Sequence, residues 1–224
     1  MTPTNPSVRV TLPVSLTQPV VPAQITPSTT APTSISAQEE IFSDSFDSAT
    51  GWTEESTERY SAGRSEGGLY QMSFWIAGDQ DYQFLIQPHH FSLPLRNMNL
   101  RTQGTALNGN GAYGLVCRWS DSINLYTFHI STDGRYWLYK RVNGTWTNLG
   151  SGTSSVIQEE NAIELQCVND RISASVNNMV IAAVTDRSLS EGNGGLFAQP
   201  LGGSLEGAWS YYAVFQSFDM TVLP

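Results

Sequence analysis

Residues 111–146 read GAYGLVCRWSDSINLYTFHISTDGRYWLYKRVNGTW, and the way this stretch reverses on itself decides the fold. Tyr126, Phe128 and Ile130 alternate with Thr127, His129 and Ser131, a period of two that sends one set to a core and the other to solvent. Thr132-Asp133-Gly134 supplies the reversal. A two-residue turn at Asp133-Gly134 would set Tyr136 and Leu138 opposite Ser131 and His129, burying the wrong set. A three-residue loop with Gly134 at positive φ as a bulge residue instead sets Tyr136 against Ile130 and Leu138 against Phe128. This register is the one expected. The inner face is then Tyr126, Phe128, Ile130, Tyr136 and Leu138 with Cys117. The opposite face carries His129, Trp137, Tyr139 and Arg141, joined by Arg118 if Leu115 and Cys117 point inward.

Outward from this stretch the same text continues. Strands are predicted at 41–46, 69–76 (LYQMSFWI), 82–86 and 93–107, the last with an irregularity, and Gly51-Trp52, Gly78-Asp79 and 108–111 (NGNG) break them. Residues 162–185 (AIELQCVNDRISASVNNMVIAAVT) form a second meander with short Asn/Asp turns, residues that tolerate positive φ. Ile163, Leu165 and Cys167 share one face of it, as do Ile172, Ala174 and Val176. Residues 194–198 and 212–222 close the domain, and 186–191 has room for one helical turn. Roughly a dozen short strands without alternating helices imply an all-β fold of two antiparallel sheets packed face to face, with an up-and-down barrel as the alternative.

Composition narrows the function classes. The chain has 224 residues, of which 14% are charged, with a net charge of −9, room for one sandwich-sized domain. Scattered Lys and Arg on an acidic chain argue against nucleic acid. No run approaches the length of a membrane span, and the N-terminus lacks a charged-then-apolar signal. Residues 1–39 are rich in Pro, Thr and Ser without an aromatic, and are expected to be a disordered linker or stalk preceding a sandwich at 40–224. A stalk of this kind implies an exported or surface-tethered module.

The order of the pieces resembles a known group. SDSF at 43–46 with Gly51-Trp52, YGLVCRW, NLYTFHISTDGRYWLYKRVNGTW, LQCVNDRISASVNNMVIAAVTD, LSEGNGGLFA and FQSFDMTV together look like bacterial laminin-G-like, concanavalin A-like jelly-roll modules. Asn177-Asn178 departs from the Asn-Gly usual in that group, and 203–209 looks like an enlarged loop. The group includes domains of the 3-keto-disaccharide hydrolase type and many modules without activity. The resemblance therefore implies a jelly roll, carbohydrate contact and, at its furthest, glycoside cleavage. Cys117 and Cys167, the only two cysteines, match a pair that similar modules carry as a disulfide. Two buried thiols acting as small apolar groups are the other reading.

The chemistry on offer favours binding. Sandwich glycosidases place two carboxylates across a cleft, but Glu39-Glu40, Glu54-Glu55 and Glu159-Glu160 are adjacent pairs whose members point to opposite faces of a strand. No nucleophile elbow or phosphate loop is present. His89-His90 sits in an expected loop without companion ligands. Asp44 and Asp219, in the opening and closing strands, would with loop carbonyls suit a structural calcium ion, although capping of turns is the plainer role for each. No other cofactor is implied. The strongest candidate site is the outer face of Arg118, His129, Trp137, Tyr139 and Arg141: aromatic rings pack against the C–H face of a sugar, and Arg and His bond to hydroxyls. The same residue types suit a surface-protein partner, or stabilise a solvent-facing sheet without any ligand. Trp52 and Trp146 are expected to cover core edges.

Overall fold

A computed structural model of the chain describes residues 39–47, 51–65, 67–77, 84–89, 94–107, 111–201 and 208–224. Residues 1–38 of the proposed stalk, His90 and most of the enlarged loop lie outside them. The fifteen described strands, numbered in chain order, build two wholly antiparallel sheets. One runs β10 (Thr145–Thr153), β9 (Arg135–Val142), β8 (Asn124–Ile130), β7 (Gly111–Asp121), β14 (Asn193–Pro200), β5 (Leu85–His89). The other runs β13 (Met179–Thr185), β12 (Arg171–Val176), β11 (Glu160–Val168), β6 (Met98–Leu107), β15 (Ala208–Val222), β4 (Leu69–Ala77), β3 (Tyr60–Ser65), β2 (Glu55–Ser56), with β1 (Glu39–Asp44) paired to the far end of β15. No helix forms at 186–191, where the chain is irregular.

The register expected from the loop at 132–134 is the one found. Phe128 pairs with Leu138 and Ile130 with Tyr136; Gly134 sits at φ 91°, and its N–H donates to the Ser131 carbonyl at 2.9 Å. Positive φ is what a Cβ would oppose, so Gly suits this position and most residues do not. The second meander behaves likewise: Ile163, Leu165 and Cys167 face Val176, Ala174 and Ile172, and all six are buried in the main core. Asn177 and Asn178 both take positive φ, 51° and 67°, so the pair performs the turn that Asn-Gly usually makes.

The core lies between the sheets and is filled by Tyr113, Leu115, Tyr126 and Phe128 from one and Met72, Leu100, Leu165, Phe215 and Phe218 from the other. A disulfide joins Cys117 of β7 to Cys167 of β11. It is an inter-sheet staple closing a loop of 50 residues, worth about 2–4 kcal/mol by constraint of the unfolded chain. Pro88 stands in mid-strand, tolerated because β5 is the sheet edge among the described strands, where no outer neighbour among them needs its missing N–H. His89, expected in a loop, belongs to this edge strand and stacks near Phe42, with ring centroids 3.8 Å apart.

Two expectations fail at the ends of the core. Arg118 is not on the outer face. The pairing of β7 with β8 is regular to Cys117 and resumes only at Asp121, and Arg118, at φ 50° inside this irregularity, is turned inward by it. Its guanidinium is 1% exposed and donates to three main-chain carbonyls: Arg96 (3.1 and 3.3 Å), Leu189 (2.8 Å) and Asn169. The second concerns Asp44 and Asp219. Ser43 pairs with Asp219 and Asp44 with Phe218, so the two carboxylates leave opposite faces of the sheet and are not brought together. Asp44 is spoken for, accepting from the Phe46 N–H at 2.7 Å and from the Trp52 indole at 2.9 Å. Trp52 does cover the core edge, packing against Phe46, Tyr70 and Phe218.

Candidate functional site

The face of the six-stranded sheet turned away from the core is built from alternate residues of each strand, and two cross-strand rows decide its character. One row is Trp137 of β9, His129 of β8, Gly114 of β7, Phe197 of β14 and Ile86 of β5. Gly114 is the slot in that row. A Cβ there would lie 2.1 Å from the Phe128 carbonyl oxygen, and without one the rings of His129 and Phe197 close over the strand between them to 4.7 Å at 18°. Trp137 continues the stack at 5.5 Å from His129, and Phe84, just before β5, extends it at 6.0 Å from Phe197. The second row pairs Tyr139 with Thr127 and Val116. His129 and Tyr139 rings lie 5.9 Å apart and nearly parallel.

Trp146 completes the cluster. The Asn143-Gly144 turn has both residues at positive φ, 50° and 83°, a two-residue hairpin that puts Trp146 opposite Arg141 and therefore on the outer face. Expected to cover the core, Trp146 instead meets Phe84 (5.4 Å, 87°) and Tyr139 (6.1 Å, 79°) edge to face and stays 37% exposed. Phe84, His129, Trp137, Tyr139, Trp146, Gln199 and Leu201 line a cavity of about 340 Å³. The face is thus less open than the alternation implied: Thr127 and His129 are buried, and Val116, Leu125 and Phe197 form a small second apolar cluster.

Of the residues singled out in the sequence, His129, Trp137 and Tyr139 meet in the cavity. Arg141 lies beside it, with its guanidinium carbon 5.3 Å from the Phe84 ring centre and 5.2 Å from that of Trp146. Its Nε and Nη1 donate to the Gly144 and Ser122 carbonyls at 3.2 and 2.7 Å. His129 Nδ1 shares a hydrogen bond of 2.8 Å with Thr127 Oγ1, and burial pushes its imidazole down to about 3, so the ring is uncharged at neutral pH. It serves as a polar member of an aromatic stack. Among the described lining residues none is a carboxylate.

Several carboxylates elsewhere are engaged. Glu54 pairs with Arg64 at 3.0 Å and Glu55 accepts from Gln87 at 2.7 Å; both border a second, polar depression of about 390 Å³ with Arg64, Gln71 and Ser73. Glu160 accepts from Gln103 at 3.1 Å and from Gln216. No group of three or more His, Cys, Asp or Glu among the described residues is placed to hold a metal ion.

No protein-family model matches the chain, and no curated protein does. Solved structures do match its shape. The carbohydrate-binding module CBM66 from Bacillus subtilis superposes with a TM-score of 0.50 over 77% of this chain and 96% of its own, at 20% identity. A β-glucanase from Bacillus licheniformis gives 0.56 over 84% of this chain and all of its own, at 9% identity. The catalytic domain of an endo-1,3-β-glucanase (laminarinase) from Thermotoga petrophila gives 0.55 over 82% and 97%, at 9% identity. The chain is a jelly-roll sandwich. The likeness is one of concanavalin A-like architecture, and at these identities it concerns the fold.

Proposed function

We propose that this jelly roll is a non-catalytic carbohydrate-binding module whose ligand sits in the aromatic cavity on the outer face of its six-stranded sheet. The observation that carries the reading is the convergence of Phe84, His129, Trp137, Tyr139 and Trp146 around about 340 Å³. Such a wall supplies flat apolar area for the C–H face of a sugar, with an amide, a phenol and indole N–H groups at hand for hydroxyls. A backbone held by cross-strand pairing keeps the rings in place before the ligand arrives, which lowers the ordering cost of binding. The structural neighbours, a carbohydrate-binding module and two glucanases, support a sugar ligand. Hydrolysis is the less favoured reading, since two carboxylates must flank the scissile bond and the described lining residues include none. The motif order seen in the sequence supports a place among the laminin-G-like modules, and the inter-sheet disulfide supports an extracytoplasmic setting.

A glycan array probed with the full chain tests the reading, followed by Trp137→Ala, Tyr139→Ala and Trp146→Ala. Binding by the parent and loss of about tenfold or more in affinity for Trp146→Ala, a loss of about 1.4 kcal/mol, is the expected result. No glycan bound by the parent, or binding untouched by all three substitutions, removes this site.

A further inference from the structure

We infer that the cavity selects uncharged sugars, and that Arg141 acts as a positioning residue for Phe84 and Trp146 and does not receive a ligand carboxylate or sulfate. The inference rests on the reading of the cavity as a glycan site and deepens it.

Three arginines come near enough on the sequence map to make this face look basic, and each is committed elsewhere. Arg118 is buried beneath loops at the end of the core. Arg135 rides over the Trp137 ring at 5.2 Å while its guanidinium is paired with Asp133 at 2.6 Å. Arg141 lies against the rings of both Phe84 and Trp146, and two of its nitrogens are tied to the Gly144 and Ser122 carbonyls. Those two carbonyls belong to the turn regions flanking β8 and β10, so the guanidinium pins the hairpin that presents Trp146 to the strand ahead of it. Arg141 does not itself border the cavity. An Arg between two aromatic faces is stabilised by the ring quadrupoles, and its Nε and Nη1 donors are used on main-chain carbonyls.

Among the described residues the cavity wall is uncharged. Its polar atoms are the Gln199 amide, the Tyr139 hydroxyl, the two indole N–H groups and the imidazole of His129, and that imidazole is held neutral by its burial. An anionic sugar would surrender its hydration to a wall without a counter-charge, which is costly. A neutral sugar finds donors and acceptors for its hydroxyls and rings for its C–H face.

The test uses the full chain and a panel split in two: laminarin, xylan and dextran as neutral polysaccharides, and alginate, polygalacturonate and heparin as anionic ones. At least one neutral member is expected to bind about tenfold or more tightly than every anionic member, with affinity changing less than about twofold between about 0.05 and 0.5 M NaCl. Arg141→Met is expected to weaken neutral-glycan binding about three- to tenfold, and adding it to a Phe84→Ala/Trp146→Ala variant to cause no further loss, because Arg141 acts through those two rings. Tightest binding to an anionic member that fades with salt overturns the inference and leaves the glycan site standing. A further loss from Arg141→Met in the variant lacking both rings overturns the positioning role of Arg141. No binding to any member removes the site and the inference together.

Discussion

Replacing Arg118 with Met separates the role assigned to it by the structure from the one its place in the sequence suggested. The guanidinium makes four hydrogen bonds to the carbonyls of Arg96, Leu189 and Asn169 and is 1% exposed. Met keeps much of the apolar stem but leaves three partly buried carbonyls without this donor, each costing at most about 1–3 kcal/mol. Part of this is offset, because burial disfavours the charged guanidinium and lowers its pKa, and that penalty disappears with the charge. The net loss should be about 2–5 kcal/mol, in the range of breaking a buried charged contact. Urea unfolding followed by tryptophan emission reads it directly as a lowered midpoint at unchanged slope. Arg118→Lys should fall between, since an ammonium is a point donor and cannot span the fork. Glycan affinity, measured well below the midpoint, should stay within about twofold of the parent. A stability loss under about 1 kcal/mol together with lost binding would refute the argument, and would return Arg118 to the binding face.

Two further perturbations bear on what holds the sandwich together. Removing the staple with Cys117→Ala/Cys167→Ala should lower unfolding free energy by about 2–4 kcal/mol for its 50-residue loop; thiol titration of the denatured parent without reductant should find none, and two reactive thiols would refute the bridge. Acid should weaken the fold in a defined window. His129, lowered to about 3 by burial, stays neutral in the folded state while the unfolded chain takes up a proton below about 6.5. Its contribution is therefore complete above that value and lost as pH falls toward 3, by up to about 1.4 kcal/mol per pH unit. Burial works to raise the Asp186 carboxyl, but hydrogen bonds from Lys140, Tyr126 and Ser188 outweigh it and hold the group below the usual carboxylate range, so its share is lost only as pH falls below about 4. The difference in urea midpoint between pH 4.5 and 7.5 should be smaller in His129→Gln than in the parent, and an equal difference would show that His129 does not drive the effect.

What the residues told in advance and what they withheld have a common cause. Local rules sufficed where pairing is continuous: the length of the loop at 132–134 was enough to match Phe128 with Leu138, and alternation identified the core faces of β11 and β12. Arg118 was misplaced because counting by twos assumes an unbroken ladder, and the irregularity after Cys117 leaves no clear mark in the sequence. Trp146 was different. The Asn143-Gly144 turn was visible, and counting across it sets Trp146 opposite Arg141, on the face already under suspicion. Phe84, Phe197 and Gln199 carried no such signal, because they reach the cavity through β5 and β14, whose neighbours are set by topology. The outer face was expected to be wet on the ground of alternation alone, and the stack of rings over Gly114 shows that one glycine in the middle strand lets the neighbours roof it.

That roof also has a history during folding. Its rings come from points in the chain as far apart as Phe84 and Phe197, and the strands that carry them close long loops before they meet, which is slow work for any chain. No hairpin or half-sheet contains the cavity. It comes into being only when β14 has docked between β7 and β5, so a ligand that enters it reports the finished sheet, and a fragment that keeps the 111–146 hairpins alone should fold locally and recognise nothing.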